Sequence, residues 1–270
     1  MNVTNKVIVV TGGGNGMGRE LVLNLLRNGA SVAAVDINET ALSETKKLAG
    51  NLSRNLSVHV LNITNKESVD IFPQEVIKIH GAVDGIINNA GIIQPFKKIG
   101  DMDYTTIERV VNVNFYGTLY LTKALLPFLL KRPEAHVVNV SSMGGFLPVP
   151  GQSIYGAAKA AVKIFTEGLQ AELKSTGVKV TVVFPGAINT DIKFNSGAEK
   201  TKKADNEAKK SLIKPLAPAK AAQIIIGGIE KNKSRIFVGS DSKVMDLLYR
   251  VNPKFATNLI VKQMKSHIPD

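Results

Sequence analysis

The chain of 270 residues contains no cysteine and no tryptophan, and aromatic residues make up 6% of it. A chain without cysteine forms no disulfide, binds no zinc or iron–sulfur cluster through thiolates, and has no cysteine nucleophile. No apolar run approaches the roughly 20 residues of a membrane-spanning helix. The first apolar run, residues 7–10, is also too short for the core of a signal peptide. We therefore expect a cytoplasmic protein, and we predict no metal site.

Positive charge is unevenly distributed along the chain, whose net charge is +12. Residues 1–190 contain 18 basic and 14 acidic residues, whereas residues 191–270 contain 16 and 8. A basic field raises the local concentration of anions. No recognisable nucleic-acid-binding module accompanies it, so we expect no nucleic-acid partner. Three uses of the charge stay open: binding an anionic substrate, peripheral contact with an anionic membrane, and solubility alone.

Short apolar runs alternate with helix-length segments over most of the chain. Such runs, followed by glycine or polar residues, are typical of parallel strands that are buried on both faces. Seven strands are predicted, at residues 7–10, 31–35, 58–61, 85–87, 136–140, 178–184 and 236–239. A long helix, or two helices, is expected at 103–130, cut short by Pro127. The alternation predicts one doubly wound (Rossmann) α/β domain, with about seven parallel strands and helices on both faces.

The pattern changes after the sixth strand. Residues 195–214 contain six lysines and few apolar residues, which predicts a substrate loop or lid over about residues 187–216. The tail, residues 241–270, is predicted to be helical on both sides of Pro253. We expect residues 1–240 to form the dinucleotide-binding and catalytic unit, with the tail packed on or beside the same domain.

A glycine-rich segment, TGGGNGMG at residues 11–18, lies between the first strand and the first helix. Its glycines allow the backbone to approach a phosphate closely, and the helix N-terminus supplies free N–H groups. The second strand ends at Asp36, 18 residues after Gly18. A carboxylate there accepts hydrogen bonds from an adenosine ribose and repels a 2′-phosphate. Since neither Asn15 nor Ile37 is basic, the segment predicts NAD in preference to NADP.

Polar side chains that can do acid–base chemistry follow the later strands. Tyr155 and Lys159 lie one helical turn apart. A lysine ammonium beside a phenol favours the phenolate and lowers the pKa of the phenol. Such a tyrosine can exchange a proton with a carbonyl or alcohol near neutral pH. Because ligands bind at the carboxyl ends of parallel strands, we expect this pair to meet Ser141 or Ser142 at one edge of the sheet.

Together these segments resemble the short-chain dehydrogenase/reductase family, from about Val7 to Thr190 and more loosely beyond. The resemblance rests on motif positions Thr11, Gly12, Gly16, Gly18, Asn88, Asn89, Ala90, Gly91, Asn114, Ser142, Tyr155, Lys159, Pro185, Gly186 and Thr190. The gap of 13 residues between Ser142 and Tyr155 is the family's usual spacing, so the resemblance selects Ser142 over Ser141. One position departs from the family: Asn62 stands where an aspartate is common, and its oxygen can still accept a hydrogen bond from adenine.

The resemblance implies a role for each of these residues. Tyr155 is the acid/base, Lys159 lowers its pKa and binds the nicotinamide ribose, and Ser142 polarises the substrate oxygen. Asn114 helps to hold a water beside Lys159. The implied cofactor contacts are Gly12, Asn15, Gly16, Met17, Gly18, Asp36, Ile37, Asn62, Ile63, Asn89, Ala90, Gly91, Tyr155, Lys159, Pro185, Gly186, Ile188 and Thr190.

The sequence defines the substrate less closely than it defines the acid–base reaction. Apolar residues after the strands, Phe146 and Phe194 among them, would join Ser142 and Tyr155 at the substrate, which predicts a hydrophobic ketone or secondary alcohol. Two alternatives stay open: a non-catalytic NAD-binding sensor or scaffold on the same fold, and a membrane-peripheral reductase of a lipid substrate. Family members commonly pair through long helices, so the resemblance also implies a homodimer or homotetramer.

Overall fold

The computed structural model describes residues 1–190, 192 and 215–264. These residues contain a parallel sheet of seven strands: β1 (Val7–Thr11), β2 (Ser31–Asp36), β3 (Leu56–Val60), β4 (Gly85–Asn88), β5 (Ala135–Val140), β6 (Val178–Pro185) and β7 (Arg235–Val238). The strand order is β3-β2-β1-β4-β5-β6-β7. The chain reverses its direction of travel across the sheet between β1 and β4, which opens a crevice at their carboxyl ends. The predicted doubly wound fold is confirmed.

Helices cover both faces of this sheet. They are α1 (Gly16–Arg27), α2 (Glu39–Ala49), α3 (Lys66–His80), α4 (Tyr104–Val111), α5 (Gly117–Leu129), α6 (Ser153–Glu172), α7 (Pro218–Glu230), α8 (Ser240–Val251) and α9 (Pro253–Met264). A π-helical turn, Asn112–Tyr116, joins α4 to α5. One hydrophobic core includes residues of α1 and α7, and another includes residues of α3, α5 and α6. No helix in the described part of the chain is long and apolar enough to cross a membrane.

The C-terminal helices form a third, smaller cluster. Met245 of α8 and Ala256 and Ile260 of α9 are buried with Leu147, which follows β5. Ser242 donates a hydrogen bond to the carbonyl oxygen of Phe184 in β6 (2.8 Å). The tail therefore packs on the same domain, beside the carboxyl end of β6.

Several elements differ from the sequence expectation. The helices α3 and α7 were not assigned; α3 contains Pro73, which interrupts the sequence pattern of a helix. Strand β3 begins two residues before the predicted start, because Leu56 and Ser57 are buried and also pair with β2. It ends at Val60, which is exposed at this edge of the sheet. Pro127 does not stop α5, which continues to Leu129. Proline removes only one N–H donor there, and Leu129 is fully buried in the core.

Candidate active site

A cavity of about 560 Å³ opens at the carboxyl edge of the sheet. The loops that follow β1, β2, β4, β5 and β6 all contribute to its wall. Every predicted cofactor contact lines it: Gly12, Asn15, Gly16, Met17, Gly18, Asp36, Ile37, Asn62, Ile63, Asn89, Ala90, Gly91, Tyr155, Lys159, Pro185, Gly186, Ile188 and Thr190. Ser142 also lines it. The fold thus brings residues from Gly12 to Thr190 around one space.

The loop after β1 is tied to the loop after β4. The Thr11 hydroxyl accepts hydrogen bonds from the backbone N–H groups of Asn89 and Ala90, both at 2.9 Å. The first turn of α1 lies directly against this loop, since a Cβ atom on Gly18 would stand 1.9 Å from the carbonyl oxygen of Gly12. The N-terminus of α1 therefore faces the cavity, and glycine residues line the cavity there. This arrangement fits a phosphate group.

Asp36 is held at the far end of the cavity by two backbone donors. Its carboxylate accepts hydrogen bonds from the N–H groups of Gly14 (3.0 Å) and Asn38 (3.1 Å). Arg19 lies nearby, but its guanidinium donates to the Gly14 carbonyl and to Glu44 (2.6 Å). Its charge is thus already paired with a carboxylate. Asp36, and not Arg19, lines this end of the cavity.

Lys159 is buried beneath the cavity, with 3% of its surface exposed. Its Nζ donates to the carbonyl oxygen of Val140 (2.9 Å) and lies 6.0 Å from the centre of the Tyr155 ring. Burial lowers the pKa of Lys159 to about 8. An amine with this pKa can give and take a proton close to neutral pH.

Burial raises the pKa of Tyr155, although a hydrogen bond with Ser142 acts in the opposite direction. This is the reverse of the lowering that the sequence analysis expected from Lys159. The desolvation of the phenol is the largest effect here, and Lys159, whose amino group lies 6.0 Å from the ring centre, does not offset it.

Ser142 faces Tyr155 across a narrow space. Its hydroxyl oxygen accepts a hydrogen bond from the Gly144 N–H (3.1 Å). A Cβ atom on Gly144 would stand 3.6 Å from both the Ser142 hydroxyl oxygen and Cε1 of Tyr155. Ser142 and Tyr155 both line the cavity, and their side chains are close enough to hydrogen-bond with each other. Both hydroxyls can therefore reach a single substrate oxygen there.

Asn114 is fully buried in the π-helical turn. Its amide nitrogen donates to the carbonyl oxygens of Ile92 (2.8 Å) and Val110 (2.9 Å). Its Oδ1 has no hydrogen-bond partner in the described part of the chain. A Cβ atom on Gly91 would lie 2.7 Å from that oxygen and 3.2 Å from Nζ of Lys159. The two polar atoms share a small space that fits the water implied by the resemblance.

Of the two phenylalanines predicted at the substrate, Phe146 does not line this cavity. Phe146 packs against Phe184, with ring centres 5.5 Å apart, and Phe237, at 6.5 Å. Phe194 and residues 195–214 of the predicted lid lie outside the described residues. Substrate contact by either phenylalanine stays a prediction.

The cavity also has wall residues that sequence reasoning did not find. They are Val35, Asn38, Ala41, Leu61, Ile92, Arg109, Val113, Val140, Ser141 and Ile192. Arg109 and Val113 lie five and one residues before Asn114, spacings that do not mark a shared helical face, so the sequence offered no signal for them. The others flank predicted positions and carry no chemical signature of their own.

Comparison with known proteins agrees with this geometry. The model of the short chain dehydrogenase family matches residues 6–201. "Putative oxidoreductase SadH" of Mycobacterium tuberculosis is 34% identical, over 98% of this chain and 97% of that protein. An uncharacterized oxidoreductase of Staphylococcus aureus is 40% identical, over 70% of this chain and 81% of that protein. The chain belongs to the short chain dehydrogenase family. It is an oxidoreductase of that family, as the resemblance implied.

Solved structures share the fold at low sequence identity. A short-chain dehydrogenase/reductase from Burkholderia phymatum, in complex with NAD, superposes with a TM-score of 0.85 at 22% identity, covering 94% of this chain and 96% of that one. A short chain dehydrogenase from Burkholderia cenocepacia, in complex with NADP, gives 0.79 at 24% identity, covering 97% and 99%.

Proposed function

We propose that this protein transfers a hydride between a nicotinamide dinucleotide, NAD in preference to NADP, and the carbon of a hydrophobic secondary alcohol or ketone. One observation carries the proposal: the glycine loop, Asp36, Ser142, Tyr155 and Lys159 all line one cavity. Dinucleotides bound to two structural neighbours support the cofactor class. They do not choose between NAD and NADP, a choice that rests on Asp36.

The bound dinucleotide would supply the hydride chemistry. Asp36 would accept hydrogen bonds from the adenosine ribose, and the first turn of α1 would hold the diphosphate. Ser142 would orient the substrate oxygen, and Tyr155 would move the proton at that oxygen. Lys159, with its pKa of about 8, would exchange that proton with a water in the space it shares with Asn114.

The test is a cofactor comparison followed by a substrate panel. We expect tighter binding of NAD than of NADP in a calorimetric titration of the purified protein. The panel then compares steroids, retinoids, acyl thioesters and sugars by NADH absorbance, and we expect the apolar members to react best. Equal affinity for NADP would remove the Asp36 argument. Tight NAD binding with no turnover of any substrate would favour the sensor or scaffold alternative.

We propose that the long helices pair with those of a second copy of this chain. Tyr116, on the π-helical turn, is largely apolar and is 39% exposed. Ile164, on α6, is apolar and is 62% exposed. Pairing of these helices would bury both. Light scattering at micromolar concentration should give a dimer or tetramer mass, and Ile164→Glu should reduce it; a monomer for the unsubstituted chain would contradict the proposal.

The outer face of α8 favours a second, compatible proposal, contact with an anionic membrane. Val244, Leu247 and Val251 are 60%, 65% and 76% exposed at helical spacing. Lys243 is on the same helix, as is Arg250, which pairs with Asp246 (2.9 Å). A basic residue near an anionic surface contributes about 1 kcal/mol. We expect sedimentation with phosphatidylglycerol vesicles, lost in Leu247→Glu and at high salt. Equal sedimentation with neutral phosphatidylcholine vesicles would contradict the electrostatic part.

A further inference from the structure

Gln94 lies in the loop after β4 and is buried, with 1% of its surface exposed. Its side-chain oxygen accepts hydrogen bonds from the backbone N–H groups of Ile154 and Tyr155, both at 2.9 Å. Its side-chain nitrogen donates to the carbonyl oxygen of Gly151 (2.9 Å). The donors and acceptors fix the orientation of the amide, since a rotated amide would set its NH₂ group against two N–H donors.

These bonds replace a helix cap that α6 lacks. The first N–H groups of any helix have no partner within it. The preceding residue, Gln152, makes no side-chain capping bond. The first intrahelical bond of this turn runs from the Gly156 N–H to the Gln152 carbonyl (2.8 Å), so Ile154 and Tyr155 depend on an acceptor from elsewhere. Gln94 supplies it from a loop about 60 residues earlier in the chain.

A second glutamine closes the connection in the opposite direction. The side-chain nitrogen of Gln152 donates to the backbone carbonyl of Gln94 (2.8 Å). The Gln94 loop and the start of α6 are thus joined by four hydrogen bonds, all within the turn that carries Tyr155. The Gln94 side chain uses both its oxygen and its nitrogen in these bonds, so it has little left with which to hold a substrate.

We propose that Gln94 is a positioning residue that fixes the first turn of α6, and with it the Tyr155 hydroxyl, relative to Ser142. The proposal rests on the proposed function, in which Tyr155 moves the proton. Tyr155 is the third residue of α6, where a helix without a cap frays first. A displacement of about 1 Å at a reacting group can cost about 10²-fold in rate.

The first test removes the polar atoms with little change in size. In Gln94→Leu, we expect kcat to fall by about 10- to 100-fold, in line with the cost of misplacing a reacting group. We expect the dissociation constant of NAD to change by less than about threefold, because Gln94 does not line the cavity. The measurements are steady-state kinetics and a calorimetric NAD titration, both well below the unfolding temperature.

Gln94→Glu is the rescue variant. One carboxyl oxygen can accept from both N–H groups, and negative charge is favoured at a helix N-terminus. The second oxygen can keep the bond to the Gly151 carbonyl only while it carries a proton. We expect the variant to restore most of kcat. The added negative charge should raise the pKa of Tyr155, so the pH profile of alcohol oxidation should move to higher pH. This variant keeps the cap and remains informative if Gln94→Leu does not fold.

Asn65→Ala is the matched control, since Asn65 caps α3 through a bond from the Ser68 N–H (2.8 Å) and no residue of α3 lines the cavity. It should lose stability and keep kcat. A Gln94→Leu enzyme with wild-type kcat, or a Gln94→Glu enzyme as slow as Gln94→Leu at every pH, would overturn the positioning role. Tyr155→Phe belongs in the same series: if it keeps wild-type kcat, the proposed function fails, whatever Gln94 does.

Discussion

The two edges of the sheet both bury polar side chains, but they use them differently. At the amino edge most of the groups pair within the protein. The Asp84 carboxylate accepts from Arg132 (2.7 Å) and from the Val7 N–H (2.9 Å), and Nε2 of His136 bonds to Thr181 (2.7 Å), although its Nδ1 has no partner in the described residues. At the carboxyl edge, Asn114 Oδ1 and Lys159 Nζ border a shared space beside the cavity. Buried polar groups are normally satisfied within the protein. The comparison indicates that the amino edge stabilises the fold, whereas the carboxyl edge keeps polar atoms available to ligands.

Among the variants that test this comparison of the two edges, we expect Tyr155→Phe to have the largest effect. Removing the phenol oxygen should lower kcat by about 10²- to 10⁴-fold, the usual contribution of an acid–base group. NAD affinity and the melting temperature should stay close to those of the unsubstituted enzyme. Steady-state kinetics, calorimetry and thermal unfolding check all three. Tyr104→Phe, at an 82% exposed position, is the control and should change none of them; substantial activity in Tyr155→Phe would assign the proton transfer elsewhere.

His136 tests the amino edge through pH. Burial lowers its pKa to about 3, so below pH 6.5 the unfolded chain binds a proton that the folded chain does not. The free energy of unfolding should therefore fall as the pH drops from about 6.5 towards 3, by on the order of 4 kcal/mol in total. Urea unfolding at several pH values measures the slope.

His136→Gln should flatten that slope, because an amide can keep the bond to Thr181 (2.7 Å) without titrating. Some slope should remain, since burial also lowers the pKa values of His59 and His80. An unchanged slope in the variant would show that His136 does not control acid stability.

Arg132→Ala leaves the Asp84 carboxylate buried without its cationic partner. The Asp84 side chain is 3% exposed and that of Arg132 37%, so the pair is only partly screened by water. We expect a loss of about 2 kcal/mol in the free energy of unfolding, with kcat unchanged. Arg250→Ala, which breaks the more exposed pair with Asp246, is the control and should cost less than about 0.5 kcal/mol. A selective loss of kcat in Arg132→Ala would contradict the division between the edges.

We expect Asp36→Asn to have the smallest effect. It tests whether the charge at the carboxyl edge sets the cofactor preference. The amide oxygen can still accept from Gly14 or Asn38, but the charge is removed. Loss of about 1 kcal/mol of repulsion should narrow the preference for NAD over NADP by roughly five- to tenfold. The ratio of kcat/KM for the two cofactors measures it, at low and at high salt. A ratio that does not move would show that the preference, if present, has another origin.

Sequence patterns were sufficient for the elements whose signals are local. The glycine loop before α1 and the buried strands β1 and β2 have patterns that short-range sterics and burial dictate. Elements with a weaker local pattern were missed or misplaced: α3 contains Pro73, β3 is an edge strand, and α5 continues past Pro127. In these cases tertiary packing outweighs local propensity.

The sequence by itself determined the class of fold, the position of the dinucleotide loop and the residue types of the acid–base pair, because each depends on neighbours close in the chain. Only the tertiary structure decided the pKa of Tyr155, which follows from burial, and the place of Phe146, which packs on Phe184 instead of lining the cavity. It also brought Gln94 to the first turn of α6, a contact between residues 60 and 61 positions apart. Spacing along the chain carries no information about such contacts, because their formation depends on how the separate strands and helices pack.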